Sequence, residues 1–527
     1  MNAITPIPPL VQSIIPENAP FSPEQRAWLN GFFAACLGLD GPVSSSANGS
    51  AAAEAEEDFP WHDAALAMSE RLELAKDRKP ERQLMAAMAQ LDCGQCGYLC
   101  QTYAEAVWSG AEGDMGRCVP GGKETQRKLK EMMVALEPRR DGNPLAAPAV
   151  KVMAALGTRD RPALATLVDA YPLTRPGSEK DVRHVVFDLS TTDLTYEAGD
   201  SLGVYARKNP QLVQAVLDRL GASGEEMVGF DGDALPLRQV LLAKLDIARP
   251  SDECMEFLAS RAFNEEDVRQ LIALSRGEGP SHLAEADLLD LLMAFPSVMP
   301  SLPGLLKSLD RLQPRLYSIA SSPKAHPREV HLTVSAVRWN GADRQRTGVG
   351  SCYLADFAKP GDVVPVFIQK SHDFAVPTND EAPTIMVGPG TGIAPFRAFL
   401  EEREARGAKG RNWLFFGDQK RATDFLYEDQ VADWQRQGVL TRLDTAFSRD
   451  QAEKIYVQHR MRENAVELWS WLEAGAHFYV CGDAKRMAKD VEETLLQIAA
   501  EQGGKGEGAR AWLDRLVRSG RYQRDVY

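Results

Sequence analysis

Apolar residues in the N-terminal part of the chain recur at helical spacing. They predict one helix over 22–39, which begins at Ser22-Pro23-Glu24, and a helical stretch over about 61–90. The intervening residues 41–58 are small, polar and acidic, which is typical of a flexible linker. A further helical face carries Leu129, Met132, Met133 and Leu136, which are expected to pack. The Pro-, Arg- and Gly-rich stretch after it marks a second boundary.

The pattern changes from helical to strand spacing near residue 160. Strand patterns cover 182–189, 315–321, 330–337 and 362–368, and a helical block over about 209–306 interrupts them. From about residue 383, short apolar strands (TIMVG, WLFFG and HFYVCG) alternate with helical segments. That alternation predicts a parallel α/β sheet in the C-terminal part of the chain.

The composition is that of an ordinary globular protein with room for about three or four domains. The chain has 527 residues, of which 44% are hydrophobic and 25% are charged. The 60 basic and 74 acidic residues give a net charge of −14, which argues against a surface for nucleic acid or for an anionic membrane.

Targeting signals and disulfides are not expected from the sequence. The first 21 residues lack a basic segment and a long apolar run, so we expect no secretory signal. No apolar stretch is long enough to span a bilayer. Cys36, Cys254, Cys352 and Cys481 are scattered and suggest no disulfide framework. We therefore predict a protein of the reducing cytoplasm.

The other four cysteines are clustered as Cys93-x2-Cys96-x3-Cys100-x17-Cys118, with glycines between the first three. Four clustered thiolates can hold a [4Fe–4S] cluster, and glycines let the backbone wrap closely and point N–H groups at sulfur. A structural zinc site is the main alternative, although zinc modules usually arrange their cysteines as two close couples. The spacing favours the iron–sulfur cluster.

This stretch resembles the iron–sulfur module of RnfB-like electron-transport proteins and of corrinoid iron–sulfur proteins. As in that module, the cysteine triplet is followed by Tyr103-Ala104-Glu105-Ala106 and then by Cys118-Val119-Pro120-Gly121-Gly122. The resemblance covers about 45 residues and implies a small helical module that binds a [4Fe–4S] cluster.

A second motif begins at Arg315 with the sequence RLYSIASS and has the chemistry of a flavin site. Arg315 can neutralise a pyrophosphate, Tyr317 can stack on a flavin ring from the same strand face, and Ser318 can hydrogen-bond near flavin N5. Downstream, Gly348-Val349-Gly350-Ser351 can open a helix whose N–H groups hold the same pyrophosphate. Alone, each motif could be an ordinary strand or turn, but their order and spacing favour a flavin.

A third motif, VGPGTGIAPFR at 387–397, follows a short apolar strand and opens a helix. Its Gly388, Gly390, Thr391 and Gly392 have the arrangement of a dinucleotide phosphate loop.

Residues 448–451 (SRDQ) and 454–458 (KIYVQ) combine cationic, hydroxyl and amide donors, which suit the dianionic 2′-phosphate of NADPH. The candidate ligands are Ser448, Arg449, Lys454, Tyr456 and Gln458. An acidic residue at the ribose would instead indicate NAD. On charge alone, this segment could be a solvated helix face.

Residues 160–527 resemble the FAD- and NADPH-binding portion of the diflavin reductases, through the flavin motifs, the glycine loop and residues 448–458. The resemblance implies an antiparallel FAD-binding barrel, a helical connecting domain and a parallel α/β NADPH-binding domain of the ferredoxin–NADP reductase type. It also adds Thr333 to the FAD ligands. The predicted segments are an N-terminal helical segment (1–40), a linker (41–60), the [4Fe–4S] module (61–137), a linker (138–159), the FAD barrel (160–206 and 307–372), the connecting domain (207–306) and the NADPH-binding domain (383–527).

The resemblance also implies catalytic roles near the C-terminus. It places Cys481 beside the nicotinamide C4 and Tyr527 over the flavin ring, with Asp525 joining Ser318 and Cys481 around the hydride path. A buried strand thiol and a frayed tail are the ordinary alternatives for such positions. The ending RYQRDVY resembles the sulfite reductase branch of the family.

One part of the family pattern is absent from the sequence. Diflavin reductases carry an FMN-binding flavodoxin domain before the FAD half, but residues 40–160 show no strand-rich phosphate loop. The cysteine module is therefore predicted to replace FMN. NADPH would reduce FAD, FAD would reduce the cluster, and the linkers at 41–58 and 138–148 would let the cluster module travel to a partner.

The resemblance makes that partner a sirohaem-containing sulfite reductase hemoprotein. Alternative acceptors are a nitrite or nitrate reductase, a P450 or a ferredoxin. An alternative of another class is a zinc-stabilised docking module on a reductase whose electrons leave directly from FAD.

Overall fold

The computed structural model describes residues 59–64, 66–92, 96, 98–136, 156–341, 344–371 and 374–527. The predicted helix over 22–39, the linkers at 41–58 and 138–148, and Cys93 lie outside these residues. The segment boundaries drawn from the sequence stay predictions.

Four helices surround the described cysteines. They are α1 (Met68–Ala75), α2 (Pro80–Ala86), α3 (Cys100–Ser109) and α4 (Gly122–Ala135). Helix α3 ends at Gly110, whose φ of 76° is the left-handed conformation that glycine adopts most easily. Leu129 and Met132 of α4 are buried, as their helical spacing predicted, and the Thr125 hydroxyl donates to the Ala87 carbonyl oxygen at 2.9 Å. These contacts pack α4 against the chain segment that leads into the cysteines.

The described residues between 156 and 371 form ten strands and seven α-helices, together with a 3-10 turn (Ser281–Leu283) and a π-helical turn (Tyr353–Phe357). The strands are β1 (Ala163–Pro172), β2 (Val182–Asp188), β3 (Ser201–Val204), β4 (Met227–Phe230), β5 (Asp233–Pro236), β6 (Arg315–Ser318), β7 (Glu329–Ser335), β8 (Arg338–Asn340), β9 (Gln345–Thr347) and β10 (Val363–Gln369). The helices are α5 (Pro210–Leu220), α6 (Leu237–Ala243), α7 (Asp252–Ala259), α8 (Glu265–Ser275), α9 (Leu288–Ala294), α10 (Leu302–Ser308) and α11 (Val349–Cys352).

Six of these strands form an antiparallel sheet in the order β6-β3-β10-β1-β2-β7. A bridge between Ile319 and Leu332 joins the end of β6 to β7, and the Ala320 N–H donates to the His331 carbonyl oxygen at 2.7 Å. The two edge strands therefore meet, which is how a sheet closes into a barrel. The antiparallel sheet expected around the flavin motif is confirmed.

The helical block contains six helices, α5 to α10, and also the hairpin of β4 and β5, which the apolar pattern did not predict. Asp231 and Gly232 form its turn with φ values of 56° and 91°. An Asp-Gly pair is a strong hairpin signal because both turn positions need positive φ. The expectation of helix alone was therefore incomplete.

The C-terminal part is a five-stranded parallel sheet in the order β13-β12-β11-β14-β15, as the strand–helix alternation predicted. Its strands are β11 (Thr384–Val387), β12 (Asn412–Asp418), β13 (Arg442–Phe447), β14 (His477–Gly482) and β15 (Tyr522–Val526). Its helices are α12 (Ala394–Arg406), α13 (Arg421–Asp424), α14 (Glu428–Gln437), α15 (Val457–Glu463), α16 (Ala465–Glu473), α17 (Met487–Glu501) and α18 (Ala509–Arg518). The chain ends in the edge strand β15 and not in a frayed tail. In the described part of the chain, no helix is both long and apolar enough to cross a bilayer.

A buried polar contact joins the barrel to the parallel sheet. Arg397 of α12 donates to the carbonyl oxygen of Ala320, just after β6, and pairs with Glu401 at 2.7 Å. Glu401 accepts a hydrogen bond from the Ser322 N–H at 3.0 Å, and Glu402 accepts one from the Ser322 hydroxyl at 2.6 Å. All four side chains that carry this contact are buried. The strand that bears the flavin motif is thus held against the helix that follows the glycine loop.

We predict that Arg397→Ala destabilises the protein by about 3–5 kcal/mol, because the buried Glu401 carboxylate loses its arginine and keeps only the His326 imidazole, at 3.3 Å, as an ion-pair partner. Urea unfolding followed by tryptophan fluorescence measures this loss. Arg436→Ala is the control. Arg436 forms an ion pair with Asp433 on the exposed face of α14, and we expect that pair to contribute about 0.5 kcal/mol or less to the stability of the protein. Equal effects of the two substitutions would contradict the prediction.

Candidate functional site

The two flavin motifs lie against each other. Strand β6 pairs with β3, and Gly350 packs on β6 so closely that a Cβ at this position would lie 2.6 Å from the Tyr317 hydroxyl and 2.7 Å from Arg315 Cγ. Gly348 is the residue before α11. The structure therefore brings Arg315, Tyr317, Gly348 and Gly350 together, and the close approach explains why position 350 is a glycine.

Arg315 has the surroundings of an anion-binding residue. Its guanidinium donates to the Gln313 carbonyl oxygen at 2.8 Å and forms no ion pair with a carboxylate among the described residues. Burial lowers its pKa, which reflects the cost of leaving this charge without an anion. A bound pyrophosphate would supply that anion, and the N-terminal N–H groups of α11 would add donors. The residues fit FAD.

Two further residues predicted to bind the flavin, Ser351 and Thr333, form side-chain hydrogen bonds within the protein. The Ser351 hydroxyl accepts a hydrogen bond from the Val337 N–H at 3.1 Å, and Val349 lies beside it in α11. The Thr333 hydroxyl hydrogen-bonds to the Tyr427 hydroxyl at 2.7 Å. The Thr333 side chain thus contacts the residue that precedes α14, and the assignment of Thr333 to FAD stays a prediction.

The glycine loop is shaped by close backbone approaches. Gly390 has a φ of 58°, and a Cβ on Gly392 would lie 2.2 Å from the Cys481 carbonyl oxygen. A Cβ on Gly388 would lie 2.4 Å from the Gly392 carbonyl oxygen. Only glycine at 388 and 392 lets the loop turn against β14 before α12 begins, as in a dinucleotide loop.

The predicted 2′-phosphate segment lies next to this loop. Gly417 of β12 lies between them: a Cβ at this position would lie 3.1 Å from Val457 of the segment and 3.5 Å from Pro389 of the loop. Ser448 follows β13, and its N–H donates to the Asp418 carbonyl oxygen at 2.9 Å. The segment therefore begins where a strand of the sheet ends, which is the usual ligand edge of a parallel sheet.

The four other candidate 2′-phosphate residues of this segment differ in their contacts. Arg449 forms an exposed ion pair with Glu179 of the barrel at 2.5 Å. Lys454 is exposed, and Tyr456 is 43% exposed directly before α15. The Gln458 side chain is instead buried, and its amide donates to Asp490 at 3.0 Å. Glu179 and Asp490 carried no sequence signal, because only the fold brings them here.

The residues predicted around the hydride path come together. The Ser318 hydroxyl donates to Asp525 at 2.5 Å, and the Cys481 thiol lies 3.6 Å from the same carboxylate oxygen. Strand pairing sets Cys481 directly opposite Asp525. Burial raises the pKa of Asp525 and raises the pKa of Cys481 well above its ordinary value, and the neighbouring carboxylate adds to the effect on the thiol. Cys481 is therefore a neutral thiol.

Tyr527 directly follows β15 and lies next to this group of side chains. Its N–H donates to the Gly482 carbonyl oxygen at 3.0 Å, and its hydroxyl hydrogen-bonds to the Thr391 hydroxyl at 3.0 Å. Tyr527 as a whole residue is 57% exposed. The terminal residue thus joins the glycine loop to the end of β15.

An open cavity of about 310 Å³ lies between the barrel and the parallel sheet. Its lining is formed by Lys180, Val182, Ser335, Pro389, Gly390, Thr391, Asp418, Gly482, Asp483 and Tyr527. Lys180 of the barrel forms an ion pair with the buried Asp418 of β12 across it. The volume is in the range of small-molecule sites, and the glycine loop on one wall suits a nicotinamide dinucleotide.

The three described cysteines of the quartet meet in a second, small cavity. Cys96, Cys100 and Cys118 are all buried and all line it. The other lining residues are Met88, Ala89, Leu91, Tyr98, Tyr103 and Pro120. Burial raises the pKa of Cys96 and of Cys118, but N–H groups of Ala89 and Gly121 oppose it at Cys118.

This cavity has features of a metal–thiolate site. A Cβ on Gly121 would lie 3.0 Å from the Cys118 sulfur, so a glycine lets the backbone approach the ligand. Asp92 accepts the Cys100 N–H at 2.6 Å and pairs with His62 at 2.9 Å, which fixes the start of α3. Buried thiols with backbone donors fit a [4Fe–4S] cluster, which Cys93 would complete.

Comparisons with known proteins agree with the sites in the barrel and the parallel sheet. A family model for an FAD binding domain matches residues 157–353, and one for an oxidoreductase NAD-binding domain matches residues 386–493. The sulfite reductase [NADPH] flavoprotein alpha-component of Bacillus subtilis is 43% identical over 394 residues, which are 73% of this chain and 65% of that protein.

Relatives with the same name show similar matches. The protein of Vibrio cholerae is 44% identical over 373 residues, 70% of this chain and 60% of its own length. That of Yersinia pestis is 44% identical over 375 residues, 70% of this chain and 61% of its own length. The chain thus spans less than two thirds of each of these relatives. It belongs to the diflavin-reductase-like family, through its FAD-binding and NAD-binding domains.

Proposed function

We propose that the chain is an NADPH-dependent electron-transfer flavoprotein that passes electrons from NADPH to FAD, then to a [4Fe–4S] cluster, and finally to a sirohaem sulfite reductase hemoprotein, for the reduction of sulfite to sulfide. The observation that carries this proposal is the meeting of Ser318, Cys481 and Asp525 beside a glycine loop. Bound NADPH and FAD would supply hydride transfer, and a bound cluster would supply single-electron transfer.

The roles of the protein's own residues follow from the geometry. Arg315 and the N-terminus of α11 would bind the flavin pyrophosphate, and the glycine loop would bind that of NADPH. Ser318 and Cys481 would orient the reacting rings through a carboxylate, Asp525, that the strand pairing holds in place. Tyr527 would cover the flavin until the nicotinamide displaces it.

The relatives' names favour sulfite reductase over the other acceptors, since they are flavoprotein alpha-components of that enzyme. Nitrite or nitrate reductase, P450 and ferredoxin remain the alternatives. A zinc site in the cysteine module would leave FAD as the last carrier. We also place the protein in the reducing cytoplasm, where the buried thiols of Cys254, Cys352 and Cys481 stay unpaired.

The proposal predicts the cofactor content of the purified protein. We expect FAD without FMN, and iron with acid-labile sulfide in the ratio of a [4Fe–4S] cluster. Acid extraction, chromatography and metal analysis measure these quantities, and mixing with the hemoprotein should couple NADPH oxidation to sulfide formation. FMN in the extract or zinc in place of iron would refute the proposed relay.

We predict that Asp525→Asn slows flavin reduction by NADPH by about 100-fold, because Ser318 and Cys481 lose the carboxylate that orients them. Stopped-flow absorbance of the flavin measures this rate. Glu473→Gln, an exposed change at the end of α16, is the matched control and should leave the rate unchanged. Flavin reduction at the wild-type rate in Asp525→Asn would contradict the role of Asp525.

The same substitution has a predicted effect on stability. The pKa of Asp525 is raised in the folded protein, so ionisation of this carboxyl at a pH above the ordinary Asp pKa lowers the free energy of unfolding. The amide cannot ionise, so Asp525→Asn should raise the free energy of unfolding at such pH values. Thermal unfolding at pH 4 and at pH 8 tests this, with the gain appearing only at the higher pH. An Asp525→Asn variant that is less stable at both pH values would argue against a desolvated carboxylate.

We predict that Glu179→Gln lowers the KM for NADPH several-fold, because Arg449 is released from its ion pair for the 2′-phosphate. The KM for NADH, which lacks this phosphate, should not change and serves as an internal control. Steady-state reduction of ferricyanide measures both constants. An equal change for NADPH and NADH would show that Arg449 does not bind the 2′-phosphate.

A further inference from the structure

Two histidines and a glutamate come together where the chain enters β7. Glu329 and His331 are two residues apart in this strand, so their side chains lie on the same face of it. His326 lies in the turn before the strand, where its carbonyl oxygen accepts the Glu329 N–H at 3.3 Å. One candidate metal-ligand atom from each of the three residues lies within 4.8 Å of the other two.

Both imidazoles face one carboxylate oxygen of Glu329. His331 Nε2 lies 3.0 Å from Glu329 Oε2, and His326 Nδ1 lies 3.7 Å from the same oxygen. Two ligand atoms on a tetrahedral zinc ion, each about 2.0–2.1 Å from the metal, lie about 3.3 Å from each other. The two observed separations lie on either side of that value, so a small adjustment of the side chains would let one ion bind all three residues.

The outer ring nitrogens also suit metal ligands. His326 Nε2 lies 3.3 Å from Glu401 Oε1 of α12, and metal-binding histidines commonly donate their other N–H to a carboxylate. His331 is 5% exposed, and its Nδ1 is buried without a hydrogen-bond partner in the described structure. Because no hydrogen bond to Nδ1 within that structure fixes the tautomer of His331, its Nε2 can offer a lone pair to a metal.

The charges around these side chains are compatible with a divalent cation. Glu329 brings one negative charge, and Glu401 brings another, which Arg397 compensates at 2.7 Å. Two neutral imidazoles and one carboxylate are a donor set of catalytic zinc sites, in which water fills the fourth position. The His326 and Glu329 side chains are 30% and 42% exposed, so an ion and its water can enter from solvent.

We propose that His326, Glu329 and His331 form a zinc-binding site that strengthens the contact between the barrel and the parallel sheet. The three ligands belong to the barrel, whereas Glu401, which would orient His326, belongs to α12. Glu401 also pairs with Arg397 in the buried contact that joins the barrel to the parallel sheet. Zinc binding would therefore hold His326 against α12. The site is separate from the cysteine quartet and does not depend on the proposed electron relay.

The test measures zinc binding to the purified full chain by isothermal titration calorimetry and by X-ray absorption at the zinc edge. We expect one zinc ion with nitrogen and oxygen ligands at about 2.0–2.1 Å, and a higher unfolding temperature when zinc is present. His326→Gln and Glu329→Gln should each lower the zinc affinity by more than about 100-fold, since loss of even an outer partner of a ligand costs about 10- to 100-fold. Both variants should also lose the rise in unfolding temperature. His282→Gln changes an exposed histidine elsewhere in the chain and is the matched control, which should bind zinc as the wild type does.

Wild-type zinc affinity in both His326→Gln and Glu329→Gln, or no zinc binding to the wild type, would overturn the inference and leave the proposed function intact. Zinc held only by sulfur, at about 2.3 Å, would place the metal at the cysteines and also overturn it. If such protein also lacks iron, the proposed relay fails as well. Glu329→Gln, an amide of the same shape at a partly exposed position, decides the matter if His326→Gln does not fold, and flavin absorbance shows that each variant is intact.

Discussion

The arrangement of the site depends on the buried contact between α12 and the loop after β6. Arg397, Glu401 and Ser322 lie away from water, where a charge is stable only with its partner in place. Because this contact fixes β6 against the parallel sheet, Ser318 on one side can reach Asp525 on the other at 2.5 Å. Hydride transfer needs reacting atoms within a fraction of an ångström of one geometry, and a rigid contact of this kind can provide it.

The cysteine cavity is a second buried site. Its three described thiols, on Cys96, Cys100 and Cys118, are all buried and line one small cavity. The proposed relay depends on these thiols holding a metal, whereas the reductase site depends on paired charge at the interface.

Much of the fold followed from the periodicity of apolar residues. The parallel sheet followed from strands such as TIMVG and WLFFG, and Leu129 and Met132 were correctly expected in a helix face. The hairpin at Asp231-Gly232 was missed because it lies within a helical block, although its turn residues were a usable signal. The ending at Tyr527 was recognised by resemblance, and its strand β15 is stabilised by pairing with β14, which no local pattern encodes.

The site was predictable where one motif carries all of its chemistry. The glycines at 388, 390 and 392 take the shape expected for a loop that turns against a strand. The partners Glu179 and Tyr427 were not predictable, because each comes from a distant segment and has an ordinary neighbourhood in the sequence. Thr333 was assigned to FAD by resemblance alone; its hydroxyl hydrogen-bonds to the Tyr427 hydroxyl, and the assignment stays a prediction.

The central claim is that electrons leave the flavin through the cysteine module. The most direct test mixes NADPH anaerobically with the wild-type protein and with Cys118→Ser, and follows flavin absorbance and the paramagnetic signal of a reduced cluster. The account predicts that the flavin is reduced at the same rate in both proteins, and that the cluster signal and reduction of the hemoprotein appear only in the wild type. Hemoprotein reduction at the wild-type rate by Cys118→Ser would contradict it.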